Sequence, residues 1–333
     1  MNNKNISIIG LGFMGIALAK AIRKLNKNNN VIGYDINEEI KQYLTQEHLI
    51  DKTCSNLKDL TESSDLIILA TPVSTFNSIA TQIREYIRKQ IIVDIGSVKG
   101  KVYKNITNIL SNNSSCYVPS HPIAGGKSLD INDIKNEIDR VPDNLFQNKI
   151  THLFPNNSKR ENFEFVKHFY INIGAIINTN LTLQQHDKIY ALTSHIPMFI
   201  SAIFLSLLTN DSKNNVVYKY FLEKLLDKMW LSVFIDNIEN IEYWCGKINI
   251  QLKNRFSSYD ISNIVNNLVK TNNFVDFTGK GYNVFVSYDD KDSFILVDEF
   301  ITIQKQLILL CKKNDIVGLQ QFLLKTYGRF KYA

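Results

Sequence analysis

The sequence predicts an α/β domain with a doubly wound parallel sheet, followed by an all-α domain. Short, mainly apolar runs near residues 6, 31, 66 and 91 are separated by helical patterns, giving the order β-α-β-α-β-α-β. Strands without polar alternation are buried on both faces, as in parallel sheets covered by helices. After about Asn180 the runs give way to long amphipathic patterns over 182–209, 218–256, 259–271 and 293–330. The boundary therefore falls at 180, dividing the 333 residues into 1–180 and 181–333. At roughly 100–200 residues per domain, two domains are expected.

Ile6-Ser7-Ile8-Ile9 forms the first strand and ends at Gly10, and a helical pattern runs on to Ile22. Val31-Ile32-Gly33-Tyr34-Asp35 is the second strand. The third, Leu66 to Ala70, stops at Thr71-Pro72, because proline has no N–H to donate. Ile91 to Ile95 ends at Gly96, and Cys116-Tyr117-Val118 runs into Pro119-Ser120-His121-Pro122. Residues 126 to 145 read as a loop with a short helix. Ile150–Phe154 and Ala175–Ile177 supply two more strands around a helix at Glu161–Tyr170, and Gly279 to Tyr288 is an irregular patch in the helical half.

Lys and Arg number 38 against 32 Asp and Glu, a net +6 spread along the chain without a basic block. That argues against a nucleic-acid partner and suits a small anionic substrate. Cys54, Cys116, Cys245 and Cys311 lack metal-ligand spacing, so no metal site is expected and a reducing compartment fits. Met1 to Asn5 leads straight into a strand, with no signal peptide. Ala191 to Leu208 is apolar but contains Thr193, Ser194, His195, Pro197, Ser201 and Ser206, so it reads as a buried helix rather than a membrane span. The expectation is a cytoplasmic protein. Asparagine runs such as Asn28-Asn29-Asn30 read as compositional drift in surface loops.

Ligands on such sheets bind beyond the carboxyl ends of the strands, here Gly10–Gly15, Asp35, Thr71–Ser74 and Gly96–Gly100. Gly10-x-Gly12-x-x-Gly15 follows a strand and opens a helix, with Asp35 twenty residues beyond Gly15. That conjunction is the Rossmann dinucleotide fingerprint. The first glycine allows the tight turn, the second lets backbone approach a pyrophosphate, and the third packs helix on strand. Free N–H groups at the helix start receive the phosphates. The Asp35 carboxylate accepts from ribose hydroxyls and repels a 2′-phosphate, favouring NAD over NADP. Phe13, Met14, Thr71, Pro72, Val73 and Ser97 complete the expected cofactor-binding set.

Ser97, in Asp94-Ile95-Gly96-Ser97-Val98-Lys99-Gly100, and His121, in Ser120-His121-Pro122-Ile123-Ala124-Gly125, each lie just past a strand end. A hydroxyl-bearing hydride donor needs a group to take the hydroxyl proton, and an imidazole titrating near neutrality suits that task. On spacing alone, His121 is equally a loop residue bonded to backbone.

The segments IIGLGFMGIALAKAIR, IGYDIN, LIILATPVSTF, VDIGSVKGKV, SHPIAGG, LQQHDKIYALTSHIP and MWLSVFIDNIENI resemble, in order and spacing, the prephenate dehydrogenase family, with its cyclohexadienyl and arogenate relatives. They span about residues 6 to 242. The resemblance implies an NAD-dependent homodimer that oxidatively decarboxylates prephenate to 4-hydroxyphenylpyruvate in tyrosine synthesis. In that pattern His121 and Ser97 are catalytic: His121 polarises the substrate C4 hydroxyl, and Ser97 holds that hydroxyl or orients imidazole and nicotinamide. His195 binds substrate. His186-Asp187 also match a family pair, read as capping or orienting the helix that they open.

Two departures stand out. The His121 loop continues as Gly126-Lys127-Ser128-Leu129, where the family usually has a Glu-containing segment ending in Ser-Gly. The family's ring-carboxylate arginine, about nine residues before its Met-Trp pair, falls at Tyr220-Phe221 before Met229-Trp230. Lys219 and Lys224 are the nearest substitutes, with Arg140 and Arg255 more distant. Lysine cannot reproduce arginine's bidentate fork. The alternatives are an arogenate dehydrogenase, a 3-hydroxyacid-type dehydrogenase and a catalytically silent NAD-binding protein.

Overall fold

The computed structural model describes residues 4–25, 29–126, 129, 133–195, 236–243, 245–246, 274–275, 281–282, 305–306, 308–313, 315 and 317–318. The chain divides into two units, Met1–Asp187 and Lys188–Ala333.

The first unit is built on eight strands, β1 (Asn5–Ile9), β2 (Asn30–Tyr34), β3 (Lys52–Thr53), β4 (Leu66–Leu69), β5 (Ile91–Asp94), β6 (Tyr117–Pro122), β7 (Ile150–Leu153) and β8 (Ile176–Asn178). Their order in the sheet is β3-β2-β1-β4-β5-β6-β7-β8. Chain progression reverses between β1 and β4, where a ligand crevice opens in such sheets. Ile6 is in parallel register with Val31 on one side and Leu66 on the other.

Neighbouring residues along a strand feed opposite cores. Ile8, Ile68 and Val93 join one buried cluster, while Ile9, Leu69 and Ile92 join the other. The helices α1 (Phe13–Leu25), α2 (Glu38–Gln46), α6 (Ile134–Arg140) and α7 (Arg160–Asn172) cover the first cluster, through residues such as Ile16, Leu44, Ile138 and Phe169. On the other face lie α3 (Leu57–Glu62), α4 (Phe76–Ile83) and α5 (Gly100–Leu110), through Leu60, Phe76 and Ile106. Each fully buried side chain of this size stabilises by about 1.5–3 kcal/mol, which explains why the strands carry no polar alternation.

The expected parallel sheet has one antiparallel pairing: β7 runs against β6, with His121 opposite His152, and β8 follows the direction of β7. The β6–β7 connection returns along a neighbour and needs no crossover helix across a sheet face. The two-residue strand β3 and its pairing with β2 are additions to the expected elements.

Several asparagines outside the Asn28–Asn30 run have defined backbone roles. Asn37 and Asn56 are N-caps, their side chains accepting from Ile40 N at 3.2 Å and Asp59 N at 2.8 Å. Asn148 and Asn156 take φ of 58° and 32°, where a short polar side chain is tolerated.

The helix α8 (Leu183–Tyr190) carries the chain from the first unit into the second. It passes into a π-helical turn at Ala191–His195, in which Thr193 Oγ1 donates to the Ile189 carbonyl at 2.9 Å. The helix expected over 182–209 is helical over its described part, Leu183 to His195, with a change to π geometry at Ala191, and its part beyond 195 lies outside the described residues. In the second unit, helical residues fall within 236–246 and 305–318. The unit is not purely helical: β9 (Phe274–Val275) and β10 (Gly281–Tyr282) pair antiparallel, inside and beside the patch expected to be irregular. The helix expected over 259–271 lies outside the described residues. Among the described residues no helix is long and apolar enough to cross a membrane.

Replacing the exposed cap of α3, Asn56→Ala, is expected to lower stability by about 1 kcal/mol in urea unfolding, while Asn56→Ser stays within a few tenths.

Candidate functional site

The glycine loop joins β1 to α1 across the carboxyl edge of the sheet. Gly10 has φ +100°, and a Cβ there would lie 2.8 Å from Ala70 C and Thr71 N, so both the turn and the neighbouring β4 end require glycine. A Cβ on Gly15 would overlap the Gly10 carbonyl oxygen. On Gly12 it would meet nothing within 4 Å, so this exposed backbone faces open space at the start of α1. That is the cradle that a pyrophosphate needs. The half-buried Asp35 carboxylate accepts from Leu11 N at 2.7 Å and from Asn37 N at 2.9 Å. It is thereby locked beside the loop, with lone pairs left for ribose hydroxyls. These residues fit a dinucleotide.

The other expected cofactor residues gather along the same edge. Thr71 follows β4 and bonds Thr75 through their hydroxyls at 2.7 Å. Pro72 is exposed and Val73 half-buried, and a Cβ on Gly96 would lie 2.8 Å from Val73 Cγ2. The turn carrying Ser97 therefore packs on the Thr71–Val73 turn. Phe13 and Met14 pack against the core, and the Phe13 ring lies so close to Gly126 that a Cβ there would overlap it. The cofactor loop and the His121 loop thus touch.

Beneath these loops lies a buried polar network. Lys99 and Asp94, both 0% exposed, form an ion pair. Lys99 Nζ also donates to the Ser120 carbonyl at 2.6 Å. Asp94 accepts from Gly96 N at 2.8 Å and from the Tyr117 hydroxyl at 2.5 Å. The Ser120 hydroxyl donates to the Asp94 carbonyl and accepts from the Tyr170 hydroxyl at 2.8 Å. Burial pushes the Lys99 ammonium down, while Asp94 and Asp187 pull it back up. Burial beside Asp94 holds the Tyr117 phenol well above its ordinary range, so it stays a donor.

His121, half-buried on β6, is hydrogen-bonded through Nδ1 to His186 Nε2 at 2.8 Å. His186 is fully buried on α8, and its Nδ1 lies 2.9 Å from Asp187 Oδ1. Asp187 in turn accepts from Lys99 N at 2.8 Å and Gly100 N at 2.7 Å. The pair was expected to cap or orient its own helix; Asp187 caps α5 rather than α8, and its bonds with those of His186 to His121 tie α8 to α5 and β6. Ser97 stands half-buried in the β5–α5 turn. His195 ends the π turn, and the position of its side chain, like Lys219, Lys224 and Arg255, lies outside the described residues. Arg140 is exposed on α6 and paired with Glu137 at 2.8 Å. Among the described residues no cluster of three metal-ligating side chains occurs.

A doubly wound sheet with a glycine cradle, an anchored acid after β2 and an imidazole at the same edge defines a nucleotide-binding unit of the dehydrogenase class. Residues 18–179 match the family model described as "Prephenate dehydrogenase, nucleotide-binding domain". That stretch, a little under half of the chain, is what the chain shares with the nucleotide-binding domain of the prephenate dehydrogenase family. It is 27% identical over 247 residues to a cyclohexadienyl dehydrogenase of Zymomonas mobilis, covering 70% of this chain and 81% of that one. A prephenate dehydrogenase of Lactococcus lactis is 26% identical over 273 residues, with coverages of 76% and 73%. Among solved structures, prephenate dehydrogenase from A. aeolicus in complex with hydroxyphenyl propionate and NAD+ superposes with a TM-score of 0.67 at 26% identity, covering 81% of this chain and 95% of that one.

The loop geometry separates two glycines by experiment. Gly12→Ala is expected to leave the melting temperature nearly unchanged and to weaken NAD binding by roughly tenfold or more, because its methyl occupies the phosphate cradle. Gly15→Ala is expected to lower stability by about 1–3 kcal/mol through overpacking, measured by urea unfolding of the apoprotein.

Proposed function

We propose that this chain is an NAD-dependent prephenate dehydrogenase, converting prephenate to 4-hydroxyphenylpyruvate and CO2 in tyrosine synthesis. The observation carrying this reading is the imidazole of His121, which lies within β6 rather than past its end, followed by a loop that touches the dinucleotide loop through Phe13 and Gly126. The names of the Zymomonas and Lactococcus relatives support it. So does the ligand of the A. aeolicus protein, a phenol bearing a short carboxylate chain like the product.

NAD, bound by Gly10–Gly15, the α1 N-terminus and Asp35, supplies the hydride acceptor. His121 accepts the C4 hydroxyl proton as the C4–H bond leaves with its electron pair. The bond from C1 to the ring carboxylate then breaks, CO2 departs, and its electron pair aromatises the ring. The resulting phenolate oxygen recovers the proton from His121. Ser97 orients the hydroxyl or the imidazole. Aromatisation drives the step, so no metal is required.

In this reading residues 181–333 form the substrate and dimerisation domain of a cytoplasmic homodimer. His195 contributes to substrate binding, and Lys219 or Lys224 meets the ring carboxylate in place of the family's arginine. A lysine holds a carboxylate as a point charge rather than a fork, so weaker substrate binding is expected than with arginine. Arogenate, with an amino acid side chain in place of the pyruvyl group, is the competing substrate.

Purified protein with NAD is expected to turn over prephenate with equimolar NADH and CO2, and faster than arogenate. In His121→Asn, kcat should fall about 10²–10⁴-fold while NAD affinity is kept. Turnover of neither substrate overturns the reading. Undiminished activity in the variant points instead to a 3-hydroxyacid-type enzyme.

A further inference from the structure

We propose that His186 and Asp187 are positioning residues that hold His121 in a single tautomer, with the proton on Nδ1 and the lone pair on Nε2. This rests on the role given to His121 above, but the tautomer itself is a property of the apoprotein.

The argument starts at a helix end. Asp187 accepts two backbone N–H groups at the start of α5, from Lys99 to Oδ1 and from Gly100 to Oδ2. A carboxylate so placed is fixed in orientation and favoured in its ionised form by the unsatisfied donors of the helix terminus. An ionised carboxylate can only accept, so the 2.9 Å contact with His186 Nδ1 requires the proton to be on that nitrogen.

His186 then has one donor spent on Asp187, and its remaining nitrogen is decided by its charge. The ring is fully buried, and burial pushes its pKa below the ordinary histidine value, with Lys99 acting the same way and Asp187 opposing. Among its neighbours are the ring of His152 on β7 and that of Phe154 just beyond it, with centroids at 5.5 and 5.4 Å. Burial, and then His186 itself, push His152 down to about 4. His186 is therefore neutral near pH 7, and its Nε2 is an acceptor.

That acceptor lies 2.8 Å from His121 Nδ1. Two bare nitrogens at this distance repel, so His121 Nδ1 carries the proton. Neutral His121 is thereby left with its lone pair on Nε2, the form needed to take a hydroxyl proton. The carboxylate–imidazole pair that orients a base in hydrolytic triads is here extended by one further imidazole. When His121 accepts a proton, the same bond to His186 stabilises the imidazolium.

Histidine ¹⁵N NMR on the full chain, without substrate, reads the tautomer directly, because protonated and lone-pair ring nitrogens resonate far apart. The unmodified protein should show His121 protonated at Nδ1. In His186→Leu the signal should move toward a mixture containing the Nε2–H form, with kcat for prephenate lowered on the order of 10²-fold and the KM for NAD unchanged. His186→Gln keeps a carbonyl acceptor and should retain the Nδ1–H form and most of the rate. NAD binding checks that each variant is folded. If the leucine variant does not fold, the unmodified protein and the glutamine variant decide. An Nε2–H tautomer in the unmodified protein overturns the proposal, as does a folded leucine variant with unchanged tautomer and kcat. An Nδ1–H tautomer in a protein that never turns over prephenate sinks the proposed function and leaves this positioning role standing.

Discussion

The ion pair between Lys99 and Asp94 is the constraint on which the edge of the sheet depends. Both charges are withdrawn from water, a cost of several kcal/mol per ion that is offset only by good geometry and further hydrogen bonds. The structure supplies those bonds from every side. Gly96 and Tyr117 donate to Asp94, and Lys99 donates to the Ser120 carbonyl. The Ser120 and Tyr170 hydroxyls extend the network to α7. One buried pair thus ties the ends of β5 and β6 and the start of α5, which carry Ser97 and His121, to the last turn of α7.

From that anchor the site follows by short steps. The lysine side chain fixes where α5 begins, and the α5 backbone donors fix Asp187. Asp187 and His186 together reach His121. On the other side of the edge, Phe13 packs on Gly126 and brings the glycine cradle against the His121 loop. Cofactor loop and imidazole segment come from distant parts of the chain, yet each is held by buried or half-buried side chains, Asp35 on Leu11 N and Lys99 on the Ser120 carbonyl. A preorganised edge of this kind suits a reaction in which hydride and proton leave the same carbinol group.

The features legible in the sequence were those with local physics. Gly10, Gly12 and Gly15 serve one turn, and Asp35 closes the next strand, so a spacing of a few residues carries the signal. Apolar runs report strands buried on both faces for the same reason. The His121–His186 bond joins positions 65 apart, and the Asp187 cap on Lys99 spans 88, so no local pattern discloses either. Sequence alone therefore suggests that His186-Asp187 caps or orients its own helix and gives no sign of the partners on α5 and β6. A signal was present in Asp94 and Lys99: an acid ending a wholly apolar strand and a lysine five residues on must both be paired if buried. The antiparallel turn of β7 was hidden because an apolar run does not disclose its direction. In the second unit the β9–β10 pair escaped a reading based on helical periodicity, since two-residue strands have no period.

The most direct measurement is equilibrium urea unfolding of Lys99→Met, with the His121 ¹⁵N signals followed in the folded baseline. Removing one partner of a buried pair leaves the other charge uncompensated, so stability should fall by about 3–5 kcal/mol. The His121 tautomer should become mixed as the α5 terminus and Asp187 lose their register. A change below about 1 kcal/mol with an unaltered His121 signal would contradict the account, because the edge would then be held by something other than this pair.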